Sequence, residues 1–174
     1  MANTFIKIQT QTVGSGGVAS VTFSSIPQTY TDLKLVVSAR GNEGADVSSP
    51  VFITFNGSAT GYSERLLYTS GGAPASASTS AVARFQFALY IDGPASTANT
   101  FGNGEIYIPN YAGASNKSIS VDHVLENNAT ATFLALDAGL WANTDAITSI
   151  TLLHYATGNF VQHSTFSLYG IKKN

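Results

Sequence analysis

The stretch IYIPNYAGASNKSISVDHVLEN, residues 106–127, decides how the chain is read. From Ser118 onward its side chains alternate. Ile119, Val121, His123 and Leu125 fall on one side, and Ser118, Ser120, Asp122 and Val124 on the other. A period of two lays one face of an extended strand on a core and turns the other toward water or a partner. Ile106-Tyr107-Ile108 ends an earlier strand, stopped at Pro109-Asn110 because proline cannot donate to a ladder. Tyr111 to Asn116 connects the two strands. The polar residues are mostly Ser, Asn and Tyr, and the single lysine, two acids and one histidine show no partner pattern. The segment describes an architecture and names no reaction.

The same period runs through the rest of the chain. Leu33, Leu35, Val37 and Ala39 share a face in 33–39, opposite Lys34 and Ser38. Phe85, Phe87, Leu89 and Ile91 alternate with Arg84, Gln86, Ala88 and Tyr90. Weaker copies occur at 4–10, 18–24, 51–56, 62–68, 104–108, 132–140, 147–155 and 164–171. Asn56-Gly57 and Asp92-Gly93-Pro94 punctuate them, the former tolerating the positive φ of a reversal. About ten short strands with turn signals between them predict an all-β fold, an antiparallel β-sandwich forming one domain over residues 1–174. No helical stripe exceeds a turn or two, and the best place for one is WANTD, 141–145. Ser70 to Ala83, SGGAPASASTSAVA, has no large apolar side chain except Val82, so it is expected to be a loop or arm.

The chain has 174 residues, of which 44% are hydrophobic and 11% aromatic. That is enough to build a core, and it argues against disorder in a Ser-, Thr- and Gly-rich chain. There is no cysteine, so a disulfide framework, a thiolate metal site and a cysteine nucleophile are excluded. MANTFIKIQTQTVGSGG has no basic region followed by an apolar run and does not read as a signal peptide. The Asn-x-Ser/Thr triplets at Asn56, Asn116 and Asn128 are therefore read as turn chemistry. No apolar run reaches the ~18 residues of a spanning helix. Charged residues make up only 10% of the chain, against roughly 25% in an average domain, and the net charge is −2. No basic patch is present, and Lys172 and Lys173 read as a solvated tail pair, so neither a nucleic acid nor a membrane is an expected partner. The surface is left to Ser, Thr, Asn, Gln and Gly, which lose little rotamer freedom on ordering and suit close contact with other protein.

Motifs for catalysis or cofactors are missing. His123 and His154 lie on core-side positions of their strands and His163 stands apart, with no H-x-H or H-E-x-x-H spacing for a metal. No G-x-S-x-G elbow accompanies the many serines. Glu43, Glu64, Glu105 and Glu126 sit beside loops or on polar faces. Asp137 interrupts FLALDAGLW and reads as a hydrogen-bonded structural carboxylate. GNEGAD, with Glu43 and Asp46, falls short of a calcium loop, and GSGG lacks the lysine of a phosphate loop. Trp141 and the tyrosines are assigned to a core or subunit interface, with a sugar-stacking platform as the alternative.

Several stretches resemble one type of tailed-phage structural protein. They are TFIKIQTQTVGSGGVASVTFSSIP, TYTDLKLVVSARGN, EIYIPNYAGASNKSISVDHVLENNAT and GLWANTDAITSITLLHYATGNFVQHSTFSLYGIK, which together cover most of the chain. The order IPxTYTDLxLxxSxR, FNG, IYIPNYAGxxNKS, STFSLYGIK is similar to phage and cyanophage decoration (cement) proteins. That resemblance implies a jelly-roll fold, a homotrimer and attachment to the major capsid protein on the outside of a virion head. It implies no catalytic residue and no cofactor. Sheet edges need cover, so Phe5, Ile6 and Ile8 near the start and Phe166, Tyr169 and Ile171 near the end are candidate subunit contacts, with ordinary inner strands as the equal alternative for both segments. Asn42 and Asp46, with the 73–79 tip, are the expected capsid contacts. The alternative is a carbohydrate- or receptor-binding module of a phage tail or fibre, with Trp141 or a tyrosine exposed.

Overall fold

A computed structural model describes residues 4–128 and 132–172. Among these residues there are twelve strands and no helix. They are β1 (Phe5–Thr12), β2 (Ser20–Phe23), β3 (Asp32–Ala39), β4 (Ser48–Phe55), β5 (Tyr62–Thr69) and β6 (Ala75–Val82). They continue with β7 (Phe85–Asp92), β8 (Gly102–Ile108), β9 (Lys117–Leu125), β10 (Phe133–Trp141), β11 (Ile150–His154) and β12 (Thr165–Ile171). Lys173 and the last two residues of the Asn128 triplet lie outside the described residues.

The strands form two antiparallel sheets. The larger runs β1-β12-β3-β8-β9-β10-β5-β6 and the smaller β2-β11-β4-β7. Setting aside two hairpins, the chain visits the sheets in the order β1, β2, β3, β4, β7, β8, β11, β12. This gives the four-stranded layers β1-β12-β3-β8 and β2-β11-β4-β7. That is the connectivity of a jelly roll, two four-stranded layers wound together through Greek-key connections. The hairpin β5–β6 is inserted between β4 and β7, and β9–β10 between β8 and β11. Both insertions join the same layer, where β9 pairs with β8 and β10 pairs with β5, doubling its width.

Period-two patterning explains most of the elements. In β9 and β10 burial alternates strictly, and β3, β8 and β12 alternate in the same way. Two expectations are corrected. Residues 70–83 are not a loop throughout, because 75–82 form β6, paired with β5 from Tyr68↔Ala75 to Tyr62↔Val82. An edge strand is held by backbone hydrogen bonds, which Ala and Ser supply as well as Val does. The 141–145 segment holds no helix; Trp141 closes β10 and a loop follows. β6 is also the one of the twelve strands that no alternating segment of the sequence announces.

The main core lies between the layers. Its centre is an aromatic cluster in which Tyr62 and Phe85 rings lie 4.8 Å apart, Phe55 and Phe85 5.5 Å, and Phe55 and Trp141 5.7 Å. Tyr62 brings its polar end in with a partner, its hydroxyl accepting from the Phe55 N–H at 2.8 Å. Gly139 makes room for the cluster, since a Cβ there would lie 2.6 Å from Phe85 and 2.7 Å from Ile119. A second, smaller core of Leu66, Leu125, Phe133 and Ala135, with Tyr68, Phe87 and Tyr90 against it, sits where the inserted strands overhang β7.

Candidate functional site

Two charged residues, Arg40 and Lys117, brace loops. Arg40, just past β3, donates to the carbonyls of Thr97 (2.8 Å), Ser96 (3.0 Å), Thr100 (3.1 Å) and Pro94 (3.2 Å), gathering the 93–100 loop around one guanidinium. The buried ammonium of Lys117 donates to the carbonyls of Gly113 (2.7 Å), Ser115 and Thr144 (3.3 Å). Burial pushes its pKa down, with Asp145 opposing. The connection 111–116 is therefore wrapped on the lysine that follows it.

The buried titratable groups gather around the second core. Glu64 on β5 is buried, yet its carboxylate is well supplied. One oxygen accepts from the Gln86 N–H at 2.7 Å and the Thr79 hydroxyl at 3.3 Å, and the other from the Phe87 N–H at 3.0 Å. It thus ties β5, β6 and the open edge of β7. Burial raises its pKa, and the β7 backbone donors pull the other way. Asp137 on β10 interacts with it. Burial first, then the Glu64 charge, pushes Asp137 up to about 7. Two carboxyls this close do not ionise together readily, so Asp137 is the member that keeps a proton toward neutral pH. Both are enclosed, at 1% and 5% exposure, so no substrate reaches them in this conformation. His123 is stacked on Phe133 (5.5 Å) and Tyr90 (5.7 Å), and burial pushes it down to about 4, so it is neutral at physiological pH.

The remaining sequence-derived candidates scatter. His154 sits beside Gly41 and Gly158, where any side chain would strike its ring, and its Nδ1–H donates to the Tyr155 carbonyl at 2.9 Å. Burial lowers its pKa, and the Tyr155 carbonyl and Glu43 oppose this. No group of three or more His, Asp or Glu placed to hold a metal occurs among the described residues. Glu43 and Asp46 line a shallow groove with Tyr90 and Tyr155. Asn42 is exposed but already engaged, its Oδ1 accepting from the Asn159 N–H at 2.7 Å.

Of the expected subunit contacts, Phe5, Ile6 and Ile8 lie on β1 and Tyr169 and Ile171 on β12, two strands paired with each other at one margin of the larger sheet. Phe5 is 53% exposed. Phe166 is corrected: it is fully buried, 4.9 Å from the Phe160 ring, and cannot touch a partner. Trp141 is also buried and forms no sugar platform.

What residue reading missed is the outer face of the inserted strands. Leu136, Leu67 and Leu134 are 58%, 56% and 50% exposed, and Leu140 is more than a third exposed. Register places Leu136 beside Leu67, and Leu134 and Leu140 along the same face of β10. Serines frame them: Ser118 and Ser120 on β9, Ser76 and Ser78 on β6. A shallow concavity of ≈ 480 Å³ lies between Leu67, Leu136 and Ser76. FLALDAGLW carries the signal: Leu134, Leu136 and Leu140 alternate with Phe133, Ala135, Asp137, Gly139 and Trp141, and it is the second set that the fold buries. Compared with known proteins, the chain matches no family model, no curated protein and no solved structure.

Proposed function

We propose that this protein is a structural component of a virion, a decoration protein bound to the outside of a phage head, where it reinforces the lattice of the major capsid protein. The observation carrying this reading is the eight-strand jelly-roll winding, which the sequence resemblance implied and which here lies in a chain of which only 10% is charged. The protein acts by binding and not by turnover. A rigid sandwich without disulfides assembles in a reducing cytoplasm, and its Ser- and Asn-rich loops order at low entropic cost. As a homotrimer it multiplies one modest contact into tight attachment through effective concentration. Preference for the expanded shell stabilises that state by mass action.

The test mixes purified protein with undecorated, expanded heads and images them by electron microscopy. Ordered density at repeated lattice positions is the expected result. Bare lattices at saturating protein, together with specific binding on a glycan array, would replace this reading with the tail or fibre module.

A further inference from the structure

We propose that the leucine face of β5 and β10 is where copies of this chain meet. Leu67, Leu134, Leu136 and Leu140 stand together on a solvent-side sheet face. Monomeric proteins rarely expose a contiguous apolar patch of more than a few hundred Å² without a partner for it. The inner face of the same strands already covers β7, so the fold itself has no further use for the outer one.

Three features commit the occupant to a second copy. The first is shape. Ser76, Ser78, Ser118, Ser120 and Ala138 surround the leucines with short side chains, so another sheet face can approach to the roughly 10 Å of sheet packing. A flat, serine-framed leucine face is what the chain itself presents.

The second is charge. On this face Arg65 on β5 and Asp122 on β9 lie on opposite sides of β10, where register sets Asp122 beside Leu136 and Arg65 beside Ala138. Next to Asp122 across β8–β9 stands a second acid, Glu105, paired with Lys34 at 2.5 Å, so the face carries both signs and a second copy can offer each its opposite. A polyanion or an acidic headgroup finds a single arginine here. That arginine also donates to the carbonyls of Glu64 (2.9 Å) and Thr79 (3.3 Å).

The third is composition. Apolar side chains at the centre with a polar rim are the anatomy of a subunit contact, and a stable contact covers roughly 800 Å² on each side. The leucines supply the centre of such an area and the serines its rim. The trimer proposed above supplies the number of copies, and to that extent the inference rests on that reading.

Light scattering coupled to gel filtration tests this on the full chain and on Leu136→Glu and Leu67→Glu, with circular dichroism and melting temperature as fold controls. Wild type is expected at the mass of three chains. Each variant is expected at the mass of one, with an unchanged spectrum and a melting transition that stays cooperative but lies lower, since association stabilises the folded state. A wild-type dimer dissolved by both variants supports the face and overturns the trimer. Wild type that stays monomeric at about 100 μM, or folded variants that stay oligomeric, overturns the proposal. If that monomer still binds heads and Leu136→Glu abolishes the binding, the shell is the occupant instead. A trimer broken by the variants that never binds heads keeps the interface and discards the decoration role.

Discussion

Asp137 carries the sharpest residue-level consequence. Its folded pKa of about 7 lies above the usual 3.8, so the native state holds a proton that the unfolded chain releases. Its contribution is complete below about pH 4 and is lost as pH rises through 7. His123 works the other way. Held near 4 against the usual 6.5, it costs stability as pH falls from 6.5 toward 4. Between about pH 6.5 and 8 Asp137 therefore titrates without interference from His123. The melting temperature should decline across that window and flatten in Asp137→Asn, which keeps the shape without the charge. Melting curves every half unit of pH decide this; an unchanged slope in the variant would remove Asp137 as its source. Gly139→Ala puts a methyl group against Phe85 and Ile119 and should cost about 1–3 kcal/mol in denaturant titration.

Among elements, the 93–100 loop depends on one side chain. Arg40→Leu removes the donor shared by four carbonyls, of which, among the described residues, only that of Thr97 keeps other partners, from Thr100, and should lower stability by about 1–3 kcal/mol. Hydrogen exchange should quicken locally around residues 96–100, where Ser96 and Thr100 donate within the loop. Arg40→Lys should rescue little, because an ammonium lacks the fork that spans several carbonyls. Strands with two distinct faces, such as β3 and β9, could be read from alternation alone. β6 could not, because ASASTSAV has almost no apolar contrast and its pairing is a property of the backbone. Glu64 and Asp137 were legible as residues but not as a pair. Their meeting is set by β5–β10 pairing across a long stretch of chain, which local pattern does not encode. The leucine face was hidden for a related reason: β10 has apolar residues on both sides, so its alternation alone does not say which set turns inward, and the sheet it packs against decides.

At the scale of the molecule, neighbours in space are seldom neighbours in sequence. The final strand, β12, lies between β1 and β3, and β1 has no other partner in its sheet. β2 likewise joins its sheet only through β11, and the β5–β6 hairpin only through β10. A chain cut before Thr165 should lose its cooperative melting transition outright instead of melting a few degrees lower. Circular dichroism on that truncation would show it, and a retained sharp transition would refute it. The central places of β11 and β12 also bear on how the protein is made. The earlier strands β1 to β4 wait with ladder groups bare until β11 has slotted between β2 and β4, and β12 between β1 and β3. Until those two strands have left the ribosome, a nascent chain of this design is open to proteases and to its own siblings.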